Sequence, residues 1–372
     1  MTINVRSNFP GGNAAGVHIS ARDGMPEIRF SPDPCGGAEA LWFYLRLEEK
    51  DAQAPTDGKI RLTWTNIDNA YGGTAPAFCI PVTSSPGHTW MRMKQGEESR
   101  NEHGLRELSW LIPHPAPVTD IALCFPYGPD DLKANLDRAR DFWQTAAIGI
   151  TQGGRVMQRV YHDGGAGSHL PGVFALARQH AGETPGSWAL DGFMRQWAQH
   201  KKGGYTVWTI PFADPDGVAW GWFGRENIPH DLGRAWGDLP SRHEAAIIQA
   251  ELERWRQKCK PLLVLDLQAT PVFDKDGIYA YADLENAEET KWCNVIKNVL
   301  KTDYAAEDFM RVDQRPSRSA GPTFVQWVRK TMGLPAISLH IPYAQANGQV
   351  LTQKNYREIG QRVMQAVIQR KG

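Results

Sequence analysis

The stretch Val173–Gly192, VFALARQHAGETPGSWALDG, begins as a continuous apolar run and leaves it carrying His180 and Glu183 three residues apart. An unbroken VFALA suits a strand buried on both faces, which requires helices packed over a sheet. Similar runs recur over Tyr205–Ile210 and in Leu262–Leu267 (LLVLDL), the latter just after an amphipathic helix expected over His243–Lys258. Further out, a charged helical segment over Asp130–Gln144 precedes strand-like Ala147–Thr151 and Val156–Tyr161. A final strand over Ala336–Ile341 and a closing helix over Lys354–Gln369 complete an alternation of strands and helices. The expected unit spans residues 129–372.

Residues 1–128 read differently. Short branched and aromatic runs such as Ala40–Leu47 (ALWFYLRL), Lys59–Thr65 (KIRLTWT) and Asp120–Phe125 (DIALCF) alternate with Gly/Pro/Asp-rich turns. That pattern predicts an antiparallel β-sandwich, with a structural or substrate-gating role as its default. The fold class is therefore α/β, an N-terminal sandwich followed by a larger α/β unit.

Composition narrows the partners. Over 372 residues, 41 Lys and Arg balance 41 Asp and Glu, so no global field favours nucleic acid or a membrane surface. No stretch has the length and apolarity of a membrane span, and the first residues lack a signal-peptide pattern. Cys35, Cys79, Cys124, Cys259 and Cys293 are odd in number and contain no CxxC pair, which argues against a disulfide framework. The expected protein is soluble and cytoplasmic, its cysteines reduced and mostly buried. Its oligomeric state is left open. The Gly-rich Asp163–Ser168 (DGGAGS) lacks the lysine of a phosphate loop and reads as a turn.

The chemistry gathers around His180 and Glu183. An imidazole and a carboxylate leaving a strand at this spacing can meet one metal ion, although most such pairs in proteins are surface neighbours. The run His-Ala-Gly-Glu-Thr is followed in order by Pro211–Val218 (PFADPDGV), Gly224–Trp236 (GRENIPHDLGRAW) and Leu265–Gln268 (LDLQ). In that order these segments resemble the metallocarboxypeptidases, particularly the cytosolic branch. The start of the chain resembles that branch too, through Asn8–Asn13 (NFPGGN), Trp42-Phe43-Tyr44 and Cys124–Leu132 (CFPYGPDDL).

The resemblance implies an α/β/α sandwich around a mixed sheet and a site for one zinc ion, with His180 and Glu183 as ligands. The third ligand of the family, a histidine after Leu-Asp-Leu, is replaced by Gln268, whose neutral amide is a poorer zinc ligand. Arg225 matches the guanidinium that stabilises the oxyanion, and Arg234 the one that grips the substrate's terminal carboxylate. Gly233 stands where the family usually has Asn, and Asp214 also stands at a family Asn. From Ser319 to His340 the sequence runs without gaps against the family pattern, which places His340 at the catalytic glutamate. The same register puts Arg318 over the substrate and Val325 at the base of the side-chain pocket. Arg311 and Arg315 join Arg318 on one basic loop, which would favour an acidic substrate.

Two alternatives follow for the paired changes. Either His340 rotates in as third ligand in place of Gln268, or serves as base, keeping a metal-dependent hydrolase that cleaves an amide next to a free carboxylate. Or hydrolysis has been lost and a carboxylate-binding pseudoenzyme remains. The expected partner in both is a peptide C-terminus or a small carboxylate. Asp266, two residues before Gln268 on one strand, shares its face and is expected to support it. His230 and Asp231 are assigned loop or helix-terminal roles.

Overall fold

The structure is a computed structural model that describes residues 3–370 apart from 50–57, 66, 69, 71–78, 87, 114, 165–168, 201–203, 228, 229 and 313–320. Arg315, Arg318 and most of the DGGAGS segment therefore lie outside the described residues. No helix among the described residues is long and apolar enough to cross a membrane.

The first 122 residues form two five-stranded sheets. One orders its strands as Ile3–Arg6, Tyr44–Glu49, Val118–Ala122, Val82–Ser84 and Met91–Arg92, and the other as Ala15–Arg22, Met25–Ser31, Lys59–Trp64, Arg106–Pro113 and Glu97–Arg100. Every pairing is antiparallel except Met25–Ser31 with Lys59–Trp64, which run parallel. Phe43, just before a strand of the first sheet, meets Phe30 and Trp64 of the second edge-on, with ring centroids 5.1 and 5.7 Å apart. These bulky rings make the apolar core between the sheets.

Downstream lies an eight-stranded mixed sheet with the order Gln144–Ile150, Val156–Asp163, Thr206–Ile210, Pro171–Ala177, Lys260–Ala269, Ala336–Ile341, Ile278–Tyr281, Ala305–Arg311. Its four central strands, from Thr206–Ile210 to Ala336–Ile341, are mutually parallel. Alternate side chains enter two separate cores: Val173, Ala175 and Ala177 pack with helices Thr184–Gln199 and Gln353–Gln369, while Phe174 and Leu176 pack with His243–Lys258. That two-sided burial is why VFALA carries no polar residue.

The expected helix over Asp130–Gln144 ends at Asp137, and Gln144 already starts an edge strand. Phe142 stacks on His162 with centroids 3.8 Å apart, so packing against the neighbouring strand overrides the local helical pattern. Helix Ala287–Tyr304 and the short helices Pro215–Trp220 and Phe324–Trp327 also belong to the larger unit.

Candidate functional site

His180, Glu183, Asp214, Gln268 and His340 sit at or just beyond the C-terminal ends of the parallel strands, where open α/β sheets build their ligand sites. His180 and Glu183 follow Pro171–Ala177, Asp214 follows Thr206–Ile210, Gln268 closes Lys260–Ala269 and His340 closes Ala336–Ile341. Glu183 is also the N-cap of helix Thr184–Gln199, which rests directly on the adjacent strand. A Cβ on Gly186 would lie 2.2 Å from the carbonyl oxygen of Leu267, so only glycine permits that approach. The result is a short path from Glu183 to the next strand, where its Oε2 accepts the Ala269 N–H at 2.8 Å.

His180 is buried between two carboxylates. Its Nδ1 lies 2.8 Å from Glu183 Oε1 and its Nε2 lies 3.0 Å from Asp231 Oδ1. Burial opposes charge on the ring, but the attraction of Glu183 and Asp231 and their hydrogen bonds outweigh it and hold the imidazole's pKa well above its usual value. Both nitrogens then donate. Asp231 is also fixed by the N–H groups of Gly233 at 2.7 Å and Glu226 at 3.1 Å. Although burial raises its pKa, His180 and these donors bring it well below the ordinary carboxylate range. Gly233 has to be small here, because a Cβ would fall 2.6 Å from His180 Nε2. Asp231 thus does more than its expected loop role, while also capping the short turn Leu232–Arg234.

Gln268 and His340 form a second polar group on one face of neighbouring strands. Gln268 Nε2 donates to Asp266 Oδ2 at 2.6 Å, as the shared strand face led us to expect. Ser338 Oγ lies 3.1 Å from the same carboxylate oxygen and 3.1 Å from His340 Nε2. His340 Nδ1 faces the Ala269 carbonyl oxygen at 3.1 Å, so that nitrogen carries a proton. The ring is fully buried, stacked on Tyr279 at 5.3 Å and met edge-on by Tyr281 at 4.6 Å. Burial raises the Asp266 carboxyl to about 6 against the hydrogen bonds that hold it down. Ala269 joins the two groups, donating to Glu183 and accepting from His340.

Arg225 is buried, with Nη2 3.9 Å from Glu183 Oε1. Arg234 is partly exposed, and its backbone packs against Gly321, where a Cβ would meet the Arg234 carbonyl oxygen at 1.8 Å. Val325 is buried in the apolar cluster that contains Trp236 and Phe324. Arg311 places its guanidinium 3.8 Å from the Tyr279 ring centre. Asp231, Ser338, Tyr279 and Tyr281 are participants that sequence reasoning did not place around these histidines. The only available signal was the period-two spacing of Ser338 with His340 and of Tyr279 with Tyr281.

The residues present do not fit a zinc ion as they stand. Protein zinc sites use three or more protein ligands, and no group of three His, Cys, Asp or Glu among the described residues is arranged to hold a metal. Glu183 and Asp231 lie at opposite edges of the His180 ring, so one ion cannot take both with it. Gln268 is turned onto Asp266, and His340 directs its protonated Nδ1 at a carbonyl.

No protein-family model matches this chain, and no curated protein matches it in sequence. Solved structures do match in three dimensions. A metallo-carboxypeptidase from Burkholderia cenocepacia superposes with a TM-score of 0.77, covering 99% of this chain and 98% of its own at 16% identity. A metallo-carboxypeptidase from Pseudomonas aeruginosa, in complex with (2-guanidinoethylmercapto)succinic acid, gives a TM-score of 0.75, covering 98% of each chain at 18% identity. These likenesses establish a carboxypeptidase-like fold over essentially the whole chain.

Proposed function

We propose that this protein binds a free carboxylate, on a peptide C-terminus or a small molecule, in a carboxypeptidase-like pocket that no longer hydrolyses. The observation that carries this reading is the closed hydrogen-bonding of the two histidines. His180 spends both ring nitrogens on carboxylates, and His340 spends its own on Ala269 and Ser338. Arg234 is the carboxylate grip, with Arg225 beside Glu183 as a second guanidinium; a rigid fork of donors suits a planar carboxylate. Arg318 and Val325 would contribute to the pocket for the rest of the ligand. The Pseudomonas aeruginosa protein was solved with a ligand that carries a succinic acid group, which is in keeping with this chemistry. Residues 1–128 would act as a β-sandwich module flanking the pocket on residues 129–372. The five free cysteines accord with a reducing, cytoplasmic setting.

A second reading keeps a metal-dependent hydrolase. It is favoured by one feature: His180 Nδ1 and Glu183 Oε1 converge at 2.8 Å while Asp231 holds the far nitrogen, as carboxylates do behind metal-bound imidazoles. Zinc would then need His180, Glu183 and either Gln268 or a rotated His340, with Arg225 as the oxyanion partner and, where Gln268 is the ligand, His340 as base.

Elemental analysis of protein purified without chelators, alongside a His180→Ala variant, separates the two. Absence of bound zinc, together with calorimetric binding of a peptide but not of its C-terminal amide, supports the binding protein. About one equivalent of zinc, lost in the variant, overturns it in favour of the hydrolase.

A further inference from the structure

A cavity of about 740 Å³ opens between the first sheets and the larger unit, lined by Trp42, Tyr44, Tyr127 and Phe212 together with Arg178. This volume falls within the range of small-molecule sites, and aromatic walls with a few polar groups are their usual lining. Three cations line it. Arg155 is already paired with Asp216 at 2.9 Å, and Lys133 with Asp137 at 2.7 Å. Arg178 differs: its Nε donates to the Ala181 carbonyl at 2.7 Å, and its Nη1 reaches the Tyr127 carbonyl at 3.0 Å and Ser187 Oγ at 3.3 Å. These partners are neutral, and no carboxylate among the described residues pairs with it.

The side chain is only 4% exposed, so a guanidinium is buried with no carboxylate in direct contact; Glu183 and Asp214 act on it only from beyond ion-pair distance, and a donor left without a partner there is costly. Nη2 makes no hydrogen bond, yet is not among the buried orphan atoms, so it keeps access to open space. The backbone holds Arg178 at φ 66°, a left-handed conformation that non-glycine residues adopt at a cost and that clusters at functional sites.

We propose that this cavity is a separate binding site for a small monocarboxylate with an aromatic or apolar body, its carboxylate completing Arg178 and its body lying against the aromatic walls. Asp130 and Asp131 also line the cavity, so a second negative charge on the ligand is disfavoured and a single charge preferred. This proposal does not depend on the carboxylate grip assigned to Arg234.

The test is calorimetric titration of the full chain with indole-3-acetate and with its neutral analogue, indole-3-acetamide. The expected result is that the acid binds and the amide binds roughly ten- to a hundredfold more weakly, the range for losing a hydrogen-bonded charge. Arg178→Gln should erase that preference. Because that variant removes a buried anchor and risks misfolding, Ala219→Trp is the companion: it fills the cavity from the helix Pro215–Trp220 and should abolish binding in a folded protein. Equal binding of acid and amide, an acid preference that survives both Arg178→Gln and Ala219→Trp, or no binding of the acid at millimolar concentration would each overturn the proposal.

Discussion

Gln268 and His340 stand opposite one another on adjacent parallel strands, paired Cα to Cα, and both bear on the carboxylate of Asp266. Gln268 reaches it directly, and His340 reaches it through Ser338. Gln268 and His340 thus belong to one hydrogen-bonded unit, which explains why they are best read together.

A metal site is one side chain short. With His180 and Glu183 already converging and Asp231 behind the ring, Gln268→His would add an imidazole donor on the neighbouring strand end. Bound zinc should rise toward about one equivalent in this variant, measured by elemental analysis after dialysis. Unchanged zinc content would show that the hydrogen bonding around Asp266 keeps the new ring away.

The contact between Gly233 and His180 should not tolerate a side chain. Gly233→Ala places a methyl 2.6 Å from Nε2 and must push the ring away from Asp231. Crowding of this kind costs about 1–3 kcal/mol, which urea unfolding would detect.

Asp214 should make stability depend on pH. It caps helix Pro215–Trp220 by accepting from Gly217 N–H at 2.9 Å, and burial raises its carboxyl from 3.8 to about 6 despite the opposing effect of Arg242. An acid with a raised folded pKa binds more protons when folded, so its contribution falls as pH rises from about 4 through about 6. Asp214→Asn keeps an acceptor for the cap and removes that titration. It should therefore raise the melting temperature above pH 6, by up to about 3 kcal/mol of stability, with the advantage vanishing below about pH 4. A gain that is the same at all pH values would contradict this assignment.

Glu289 anchors the strand that presents His340. Fully buried, it accepts from Arg329 Nε at 2.7 and 2.8 Å, from Ala336 N–H at 3.0 Å and from Asp283 N–H at 2.8 Å. Glu289→Ala leaves a partly buried guanidinium and two N–H groups without their acceptor, and should destabilise by about 3–5 kcal/mol in denaturant titration. A loss well under about 1 kcal/mol would mean that water or another acceptor replaces it.

Local pattern alone determined much of the scaffold. Helix His243–Lys258 and strand Ala336–Ile341 have the bounds read from periodicity, because a continuous apolar run or an amphipathic repeat is written into consecutive residues. His180 and Glu183 were legible for the same reason, being neighbours in the chain. Helix Thr184–Gln199 was not: Gly186 and Gly192 weaken its intrinsic signal, and their small size is what lets it press against Leu267 and Arg357. Tertiary structure alone decided the partners. Asp231 comes to His180 from 51 residues away, and Ser338 to Asp266 from 72. Arg178 lines a cavity to which Trp42 and Tyr44 of the N-terminal region and Phe212 of the larger unit also contribute. Strand order and side-chain direction set those meetings, and neither is encoded in the spacing of residues along the chain.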